Sequence, residues 1–242
     1  MAEIRPAQPI ISFTFDDFPR SALLAGGAIL KRHGCVGTYY TSLGLMDREI
    51  PAGRAFSEAD FRQAHADGHE LGCHTFAHCH AWDTEPKFFE QSVLENQQAL
   101  EKLLPGALFK SHSYPIAWPR PQTKRLVGQR FSSCRGGGQT FNKSATDLNL
   151  LKSFFLEKSR DNSDAVKQVI EANRQACGWL IFSTHDVCEA PTTYGCSPSF
   201  FESVVRWSVG SGARILPVAE ALGAASAGCF HQRFNIGNSV HF

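Results

Sequence analysis

The chain alternates between short apolar runs and longer amphipathic segments, and this alternation predicts its fold. Residues 9 to 15, PIISFTF, form an apolar and β-branched run that ends at two acids, as a buried parallel strand would. Residues 21 to 33 place apolar side chains at helical spacing, and Gly34 provides a C-terminal stop. Because a second β-rich run, CVGTYYTS, follows at residues 35 to 42, these segments predict a β-α-β unit.

The same alternation continues to residue 224. Ser57 and Asp60 make a capping signal for a helix that runs through Asp67, and residues 85 to 104 form the most clearly amphipathic helix. Further strands are predicted at residues 69–73, 108–114, 131–135, 154–156, 178–184 and 214–217, and further helices at residues 123–128, 163–175, 198–211 and 218–224. Polar residues at the carboxyl ends of these strands favour an α/β fold of the distorted (β/α) barrel type, with about seven strands, over a doubly wound sheet.

Length and composition predict one domain. A chain of 242 residues with 43% hydrophobic residues can bury one substantial core, and α/β barrels commonly use this length as a single domain. We predict that this domain covers residues 1–224. Residues 225–242 lose the periodicity, so we expect a strap or a partly disordered tail there.

The charge balance excludes some classes of partner. Lys plus Arg (24) nearly equal Asp plus Glu (23), so no overall field favours nucleic acid or an anionic membrane surface. The N-terminus carries charges and a proline where a secretory apolar segment would be needed, and no apolar stretch approaches a membrane-spanning length. We therefore expect a soluble, cytoplasmic monomer or homo-oligomer with no nucleic-acid partner.

The cysteines are scattered along the chain and form no CxxC pair. Disulfide scaffolds belong to much shorter secreted chains, so reduced and mostly buried thiols are expected. A disulfide between Cys188 and Cys196 stays open as an alternative. The eight cysteines are Cys35, Cys73, Cys79, Cys134, Cys177, Cys188, Cys196 and Cys229.

Three polar clusters follow predicted strands and supply the candidate chemistry. Asp16 and Asp17 follow the first strand directly, at the strand end where active sites of such barrels lie. His74 and His78 in HTFAH are four residues apart, and a helical turn there would aim both imidazoles at one point. Two histidines and one carboxylate would bind a metal and leave positions open for water and substrate. His185, in STHDV, ends another buried strand.

Taken in order, TFDD, HTFAH and STHDV resemble the motifs of the polysaccharide deacetylase family, also called carbohydrate esterase family four, with its NodB-homology domain. GTYYTS at residues 37 to 42 is similar to the strand that follows the first helix in this family. FSEADFRQAHADGHELGCHTFAH at residues 56 to 78 looks like the family's approach to its histidine motif. The resemblance runs over most of the chain and implies the family's barrel and a metal-dependent carbohydrate N-deacetylase.

The resemblance also implies a role for each matching residue. Asp16 would be the general base and His185 the general acid, and the backbone N–H of Tyr114 would stabilise the oxyanion together with the metal. The metal would be a divalent cation, with zinc expected first and cobalt, nickel or iron as alternatives. Its ligands would be Asp17, His74 and His78.

The third family motif is where this chain departs from the pattern. The family has an arginine that pairs with the catalytic base, whereas this chain has Ser113 in the segment HSYPI. Arg135, at the end of the next predicted strand, could supply the missing cation, or it could be a surface arginine beside a glycine turn.

Substrate contacts are expected from the loops that follow the strands. Trp118 and Tyr114 could stack on a sugar ring, although aromatic residues in such loops also simply pack. Asp186 could line the substrate side and orient His185, as could another nearby carboxylate, or it could point away.

Several functions fit these observations. The principal expectation is removal of acetyl groups from N-acetylated amino sugars, in an oligosaccharide, a polysaccharide, a glycan precursor or another small acetylated compound. Hydrolysis of O-acetyl esters, or of non-sugar amides such as ring ureides, would use the same fold. An inactive carbohydrate-binding protein is a further alternative because Ser113 replaces the arginine. A non-haem iron oxygenase would use the same ligand types, but usually on a β-jelly roll.

Overall fold

The computed structural model describes residues 1–116 and 118–231, and a curled parallel sheet forms its centre. The sheet has the strand order β10-β11-β2-β3-β6-β7-β8, and β12 pairs with the first residues of β2 on the edge that also pairs with β3, opposite β11. The strands, numbered in chain order, are Ala2–Ile4, Ile10–Phe15, Thr38–Thr41, Glu49–Ile50, Gly53–Arg54, Glu70–Cys73, Ser111–Ser113, Ser133–Arg135, Ser144–Thr146, Phe154–Phe155, Trp179–Thr184 and Arg214–Ile215. This arrangement confirms the prediction of a distorted (β/α) barrel of about seven strands.

The two central strands are apolar because both of their faces are covered. All six residues of β2 and all six of β11 are buried, as expected for parallel strands between helices and the barrel interior. Aromatic rings from these strands pack against the outer helices and each other: Phe13 stacks on Phe182 at 5.7 Å, and Phe15 stacks on Tyr39 at 4.7 Å. This packing holds the carboxyl ends of β2 and β11 in fixed positions.

Helices follow most of the strands, and their limits match the amphipathic pattern closely. A capping box between Ser57 and Asp60 begins the second helix, as the sequence predicts, because each residue satisfies a backbone N–H of the other. The α-helices, numbered in chain order, are Ala28–Arg32, Glu58–Ala66, Pro86–Leu103, Pro121–Val127, Ser163–Gln175, Pro198–Gly210 and Val218–His231. A π-helical stretch, Ala22–Gly27, leads into α1, and short 3-10 turns occupy Leu43–Leu45 and Leu156–Ser159.

The structure differs from the pattern-based expectation in its shortest and its last elements. The antiparallel pairs β1–β9 and β4–β5 have only two or three residues each, too few to show a period-2 pattern. Helix α7 continues to His231, seven residues past the predicted end, because its Ala-rich sequence favours a helix even without an amphipathic pattern. The rest of the expected tail, residues 232–242, lies outside the described residues, and the domain boundary stays a prediction.

The cysteines and the hydropathy of the helices add two observations. The seven cysteines whose side chains are described are all free thiols, including Cys188 and Cys196. Among the described helices, none is both long enough and apolar enough to cross a bilayer.

Asn96 is the buried polar side chain that joins helix α3 to the sheet. Its amide oxygen accepts a hydrogen bond from the Leu43 N–H at 2.9 Å, and its amide nitrogen donates to the Thr41 carbonyl at 2.8 Å. These bonds fix the loop after β3 to the helix. They also satisfy two backbone groups that have no access to water.

We predict that Asn96→Leu lowers the free energy of unfolding by roughly 2–4 kcal/mol, because it leaves the buried Leu43 N–H without its partner and removes one of the two hydrogen bonds to the Thr41 carbonyl. Urea denaturation followed by circular dichroism measures the change. Gln98→Leu, at an exposed position of the same helix, should change stability by less than about 0.5 kcal/mol. Equal effects of the two substitutions would contradict the role of Asn96.

Candidate active site

Five strands deliver the candidate side chains to one edge of the sheet. In the parallel ladders Phe15 pairs with Thr184, Cys73 pairs with His112, and Ser113 pairs with Arg135. Because paired residues of parallel strands lie at the same height, the residues that follow them project from the same end of the barrel. The side chains gathered there are Asp16, Asp17, His74, Ser113, Arg135 and His185.

Asp17, His74 and His78 form a compact cluster with one ligand atom from each residue, and all three atoms lie within 4.8 Å of one another. The Nε2 atoms of His74 and His78 lie 3.4 and 3.1 Å from Oδ1 of Asp17. His74 is 2% exposed, and its Nδ1 donates to the Ser113 carbonyl at 2.7 Å. This bond fixes the ring so that Nε2 faces the cluster.

The spacing and chemistry of this cluster fit a divalent cation. Ligand atoms about 2.0–2.1 Å from a tetrahedral zinc ion lie roughly 3.3 Å apart, close to the two observed separations. Oδ1 of Asp17 is also buried and has no hydrogen-bond partner of good geometry in the described part of the chain. A buried carboxylate oxygen between two imidazole nitrogens is therefore placed to be a metal ligand.

The charges in this cluster favour an ionised carboxylate. Burial opposes ionisation of Asp17, but the two neighbouring imidazoles outweigh it and hold its pKa well below the ordinary value. Burial likewise opposes protonation of His78, yet Asp17 and then Asp16 raise its pKa above the usual value. A cation that binds there would take the place of the imidazole proton, so metal binding is expected to release protons.

The loop that carries His78 is not helical, which corrects the expected helical turn over HTFAH. Asp17, Thr75 and His78 have φ angles of 61°, 61° and 50°, a left-handed region that non-glycine residues rarely adopt. Side-chain hydroxyls hold the loop: Ser92 accepts from the N–H of Phe76 at 3.0 Å, and Thr75 accepts from the N–H of residue 79 at 2.9 Å. Such strained residues persist only where the surroundings fix them, and they concentrate at functional sites.

Asp16 lies beside this cluster and pairs with Arg135. Both side chains are buried, and the guanidinium donates to Oδ1 of Asp16. Ser113 donates to the same oxygen at 3.2 Å, and Ser183 donates to Oδ2 at 3.1 Å. Burial opposes ionisation of Asp16, but Arg135, His74 and His185 outweigh it and lower its pKa to about 2. Strand β7 has Ser113 at the position where the family motif has an arginine, and the cation that pairs with Asp16 comes instead from Arg135 on β8.

Arg135 is itself held by hydrogen bonds from both of its terminal nitrogens. Its Nη1 donates to the hydroxyl of Ser153 at 3.0 Å, and its Nη2 donates to the hydroxyl of Ser113 at 2.7 Å. The ring of Tyr40 lies 5.1 Å from the guanidinium carbon, a cation–π contact that gains strength when it is buried. The surrounding groups therefore leave the guanidinium little freedom to turn away from Asp16.

His185 is half-buried at the end of β11, and its ring partner comes from a loop. Its Nδ1 donates to the Tyr194 carbonyl at 3.2 Å, and the ring of Tyr194 lies 5.5 Å from the imidazole. Tyr194 is a site residue that the sequence analysis missed. It lies in the irregular segment TTYG, which has no periodicity that could have revealed it.

Two expected roles need correction, those of Asp186 and Tyr114. Asp186 is 2% exposed, and its carboxylate accepts from the N–H and the hydroxyl of Thr192, so it neither faces a substrate nor contacts His185 directly. The N–H of Tyr114 donates to the Arg135 carbonyl at 3.0 Å, which continues the β7–β8 ladder and makes this N–H unavailable to an oxyanion. The Tyr114 ring is buried against His112 and cannot stack on a sugar.

Trp118 has the exposure that a substrate contact requires, because 55% of its surface is accessible. A second exposed tryptophan, Trp82, lies in the loop that follows His78 and is 52% exposed. The two loops are joined because Ala81 donates to the Pro115 carbonyl at 3.3 Å and Arg120 donates to the Trp82 carbonyl. Trp82 was not identified from the sequence.

Glu157 is a further carboxyl group near the site that the sequence analysis missed. It follows β10, the neighbour of β11, and its Oε2 is buried with no hydrogen-bond partner in the described part of the chain. Burial raises the pKa of Glu157 to about 7; His185 opposes the shift, and Asp16 adds to it. The rule that polar residues at strand ends carry function would have indicated this residue.

The comparisons with known proteins agree with this geometry. A family model described as polysaccharide deacetylase matches residues 3–129. The chitooligosaccharide deacetylase of Azorhizobium caulinodans is 31% identical over 119 residues, which are 48% of this chain and 53% of that protein. The chain thus spans about half the length of the curated relative that it matches.

Solved structures share the fold at low sequence identity. The chitin deacetylase of Colletotrichum lindemuthianum has a TM-score of 0.63 and 18% identity, over 91% of this chain and 90% of that chain. A family 4 acetyl xylan esterase from Clostridium thermocellum, in complex with a cobalt ion, has a TM-score of 0.62 and 18% identity, over 88% and 90%. A CE4 family pseudoenzyme from Bacillus anthracis has a TM-score of 0.61 and 10% identity, over 90% and 66%. These likenesses show the fold.

We predict that Arg135→Met lowers the free energy of unfolding by roughly 3–5 kcal/mol, because it leaves the buried Asp16 carboxylate without its cation. Urea denaturation at neutral pH measures this loss. Arg130→Met is the matched control, since it breaks a pair with Glu90 on the surface and should cost less than about 1 kcal/mol. Combining Arg135→Met with Asp16→Asn should recover part of the loss. If the free-energy changes of the two substitutions simply add, the proposed coupling between the side chains is wrong.

Proposed function

The chain belongs to the polysaccharide deacetylase family, and from this membership and the site geometry we propose that it is a metal-dependent hydrolase of N-acetylated amino sugars. The observation that carries the proposal is the convergence of Asp17, His74 and His78 on one point, directly beside the buried Asp16–Arg135 pair. A site for binding alone would not need this combination. Two imidazoles and a carboxylate leave a divalent metal open to water and substrate.

Asp17, His74 and His78 would hold the cation, for which we propose zinc. When bound, this ion would polarise the acetyl carbonyl and lower the pKa of a coordinated water. Asp16 lies next to the ligand set, and Arg135 keeps it ionised, so it can accept a proton from the attacking water. The low pKa of Asp16 makes it a weak base, so it can accept a proton only from a water whose own pKa the metal has lowered strongly.

His185 is placed to serve the second half of the reaction. It stands at the end of β11, whose ladder with β2 brings it to the same end of the barrel as Asp16. An amine is a poor leaving group unless it is protonated as the C–N bond breaks, so a general acid is needed. We assign this role to His185.

The Arg135 contact weighs against an inactive carbohydrate-binding protein. Ser113 replaces the arginine that the family motif leads one to expect, which by itself would suggest a lost catalytic site. Arg135 instead reaches Asp16 from the neighbouring strand, and the Ser113 hydroxyl bridges the pair because it accepts from Arg135 and donates to Asp16. The base therefore keeps its cation, which a protein that only binds sugar would not require.

The substrate side is proposed to include Trp118 and Trp82. Both rings are more than half exposed on loops that continue from His78 and from β7. Exposed aromatic faces beside a polar site provide an apolar surface for the ring of a sugar. An acetylated oligosaccharide would use both rings, whereas a small acetyl ester would use neither.

We predict that His78→Gln lowers the affinity for Zn²⁺ at least about 100-fold and abolishes acetate release, because one of three protein ligands is lost. Isothermal titration with Zn²⁺ and an acetate assay on an N-acetylglucosamine tetramer measure the two effects. His65→Gln, on the exposed face of α2, is the matched control and should bind and react as the unmodified protein does. Equal zinc affinity for both variants would refute the ligand set.

A second prediction concerns the two tryptophans. Trp118→Ala and Trp82→Ala should each raise KM for the tetramer by roughly 2- to 10-fold, because each removes one aromatic contact of about 0.5–1.5 kcal/mol. Hydrolysis of 4-nitrophenyl acetate should change little. Leu108→Ala, exposed at the opposite end of the barrel before β7, should alter neither activity. Unchanged KM values in both tryptophan variants would remove these residues from the substrate side.

A further inference from the structure

A chain of three hydrogen bonds joins Asp186 to His185 through the loop after β11. Thr192 donates its hydroxyl proton to Oδ1 of Asp186 at 2.6 Å, and the N–H of Tyr194 donates to the same Thr192 hydroxyl at 3.2 Å. The Tyr194 carbonyl then accepts from Nδ1 of His185 at 3.2 Å. The carboxylate next to His185 in the sequence thus reaches it only by way of residues six and eight positions further on.

The loop that carries this chain of bonds is tightly held. The carboxylate of Asp186 is 2% exposed and also accepts from the Thr192 N–H at 2.8 Å, so Thr192 has two bonds to it. Gly195 packs so closely that a Cβ atom there would lie 2.3 Å from the Asp186 side chain. Arg160 donates to the Thr192 carbonyl at 3.0 Å from the other side. Because these contacts surround Thr192, the position of the Tyr194 carbonyl follows from that of Asp186.

The last bond decides which imidazole nitrogen carries a proton. A carbonyl oxygen only accepts, so Nδ1 of His185 must be the donor, and Nε2 is the nitrogen left for other partners. Glu157, on the neighbouring strand end, and Asp16 are further carboxyl groups near His185. In the described residues, however, it is the neutral carbonyl that bonds to Nδ1. The loop therefore orients the ring without placing a negative charge against it.

We propose that Asp186 and Thr192 are positioning residues that hold His185, through the Tyr194 carbonyl, with Nε2 directed at the leaving group. The inference rests on the proposed function. In the step that it serves, the C–N bond breaks with its electron pair going to nitrogen, and the proton on Nε2 of the imidazolium moves to that nitrogen. The proton on Nδ1 stays on Nδ1, hydrogen-bonded to the Tyr194 carbonyl, so the ring ends as the neutral Nδ1–H tautomer.

The test compares two substitutions of Thr192 on two substrates with zinc-loaded protein. Thr192→Val removes both hydroxyl bonds, whereas Thr192→Ser keeps them. For the N-acetylglucosamine tetramer, Thr192→Val should lower kcat roughly tenfold or more with little change in KM, and Thr192→Ser should restore it. For 4-nitrophenyl acetate, whose phenolate leaves without protonation, all three proteins should agree within roughly twofold.

A readout independent of turnover follows the imidazole itself. In ¹⁵N-histidine spectra of the neutral ring, His185 should appear as the Nδ1–H tautomer in the unmodified protein and in Thr192→Ser. In Thr192→Val it should shift toward a mixture of tautomers, because the carbonyl that selects one of them is no longer held. Zinc content and the thermal midpoint are measured in parallel to show that the fold and the ligand set are kept.

The outcomes separate this inference from the proposed function. If Thr192→Val slows both substrates equally, or leaves the tautomer unchanged, the positioning role is wrong while the deacetylase proposal stands. If the unmodified zinc-loaded protein releases acetate from neither substrate, the proposed function fails, and the ¹⁵N tautomer result still decides whether the loop orients His185.

Discussion

The buried ion pair between Asp16 and Arg135 is the interaction on which the rest of the site depends. A carboxylate taken out of water is expensive unless a cation and further donors replace the solvent, and Arg135, Ser113 and Ser183 do so here. Among the described residues, Asp17 meets no such cation, only two imidazoles. The chain thus neutralises one of its two adjacent carboxylates itself and leaves the other for an external charge, which is the division of roles that a base beside a metal site requires.

The same pair explains how a substitution on one strand is accommodated by another. Ser113 and Arg135 are paired residues of β7 and β8, so their side chains stand next to each other on the same face of the sheet. Moving the cation one strand further away keeps it within reach of Asp16 because an arginine side chain is long. The small hydroxyl of Ser113 fills the space between and donates to Asp16. Ser153 and the Tyr40 ring then fix the far side of the guanidinium.

Much of the fold follows from local pattern, but several details of the site do not. Long strands and helices were predictable because periodicity over six or more residues identifies the buried face, and strand ends placed Asp16, Asp17, His74, Arg135 and His185 at one edge. The helical turn predicted over HTFAH does not form, because hydroxyls of Ser92 and Thr75 hold a loop in which Thr75 and His78 have positive φ angles. The N–H of Tyr114 is unavailable because it donates to the Arg135 carbonyl of the neighbouring strand, and the sequence of one strand does not specify this partner. Contacts between distant parts of the chain determine these loop conformations and hydrogen-bond partners, and such contacts produce no periodic pattern in the sequence.

The acid and the base of the proposed reaction are supported by different physical means. A full charge holds Asp16, because a base that is ionised in a buried site must be stabilised in that form. His185 meets a neutral carbonyl instead, which accepts from Nδ1 and so selects the tautomer. Because Nδ1 is held by the carbonyl, Nε2 is the nitrogen that can give a proton to the leaving group of the proposed reaction. The carboxylate of Asp186 points into the loop, where it accepts two hydrogen bonds from Thr192. It therefore affects His185 only through the position of the Tyr194 carbonyl.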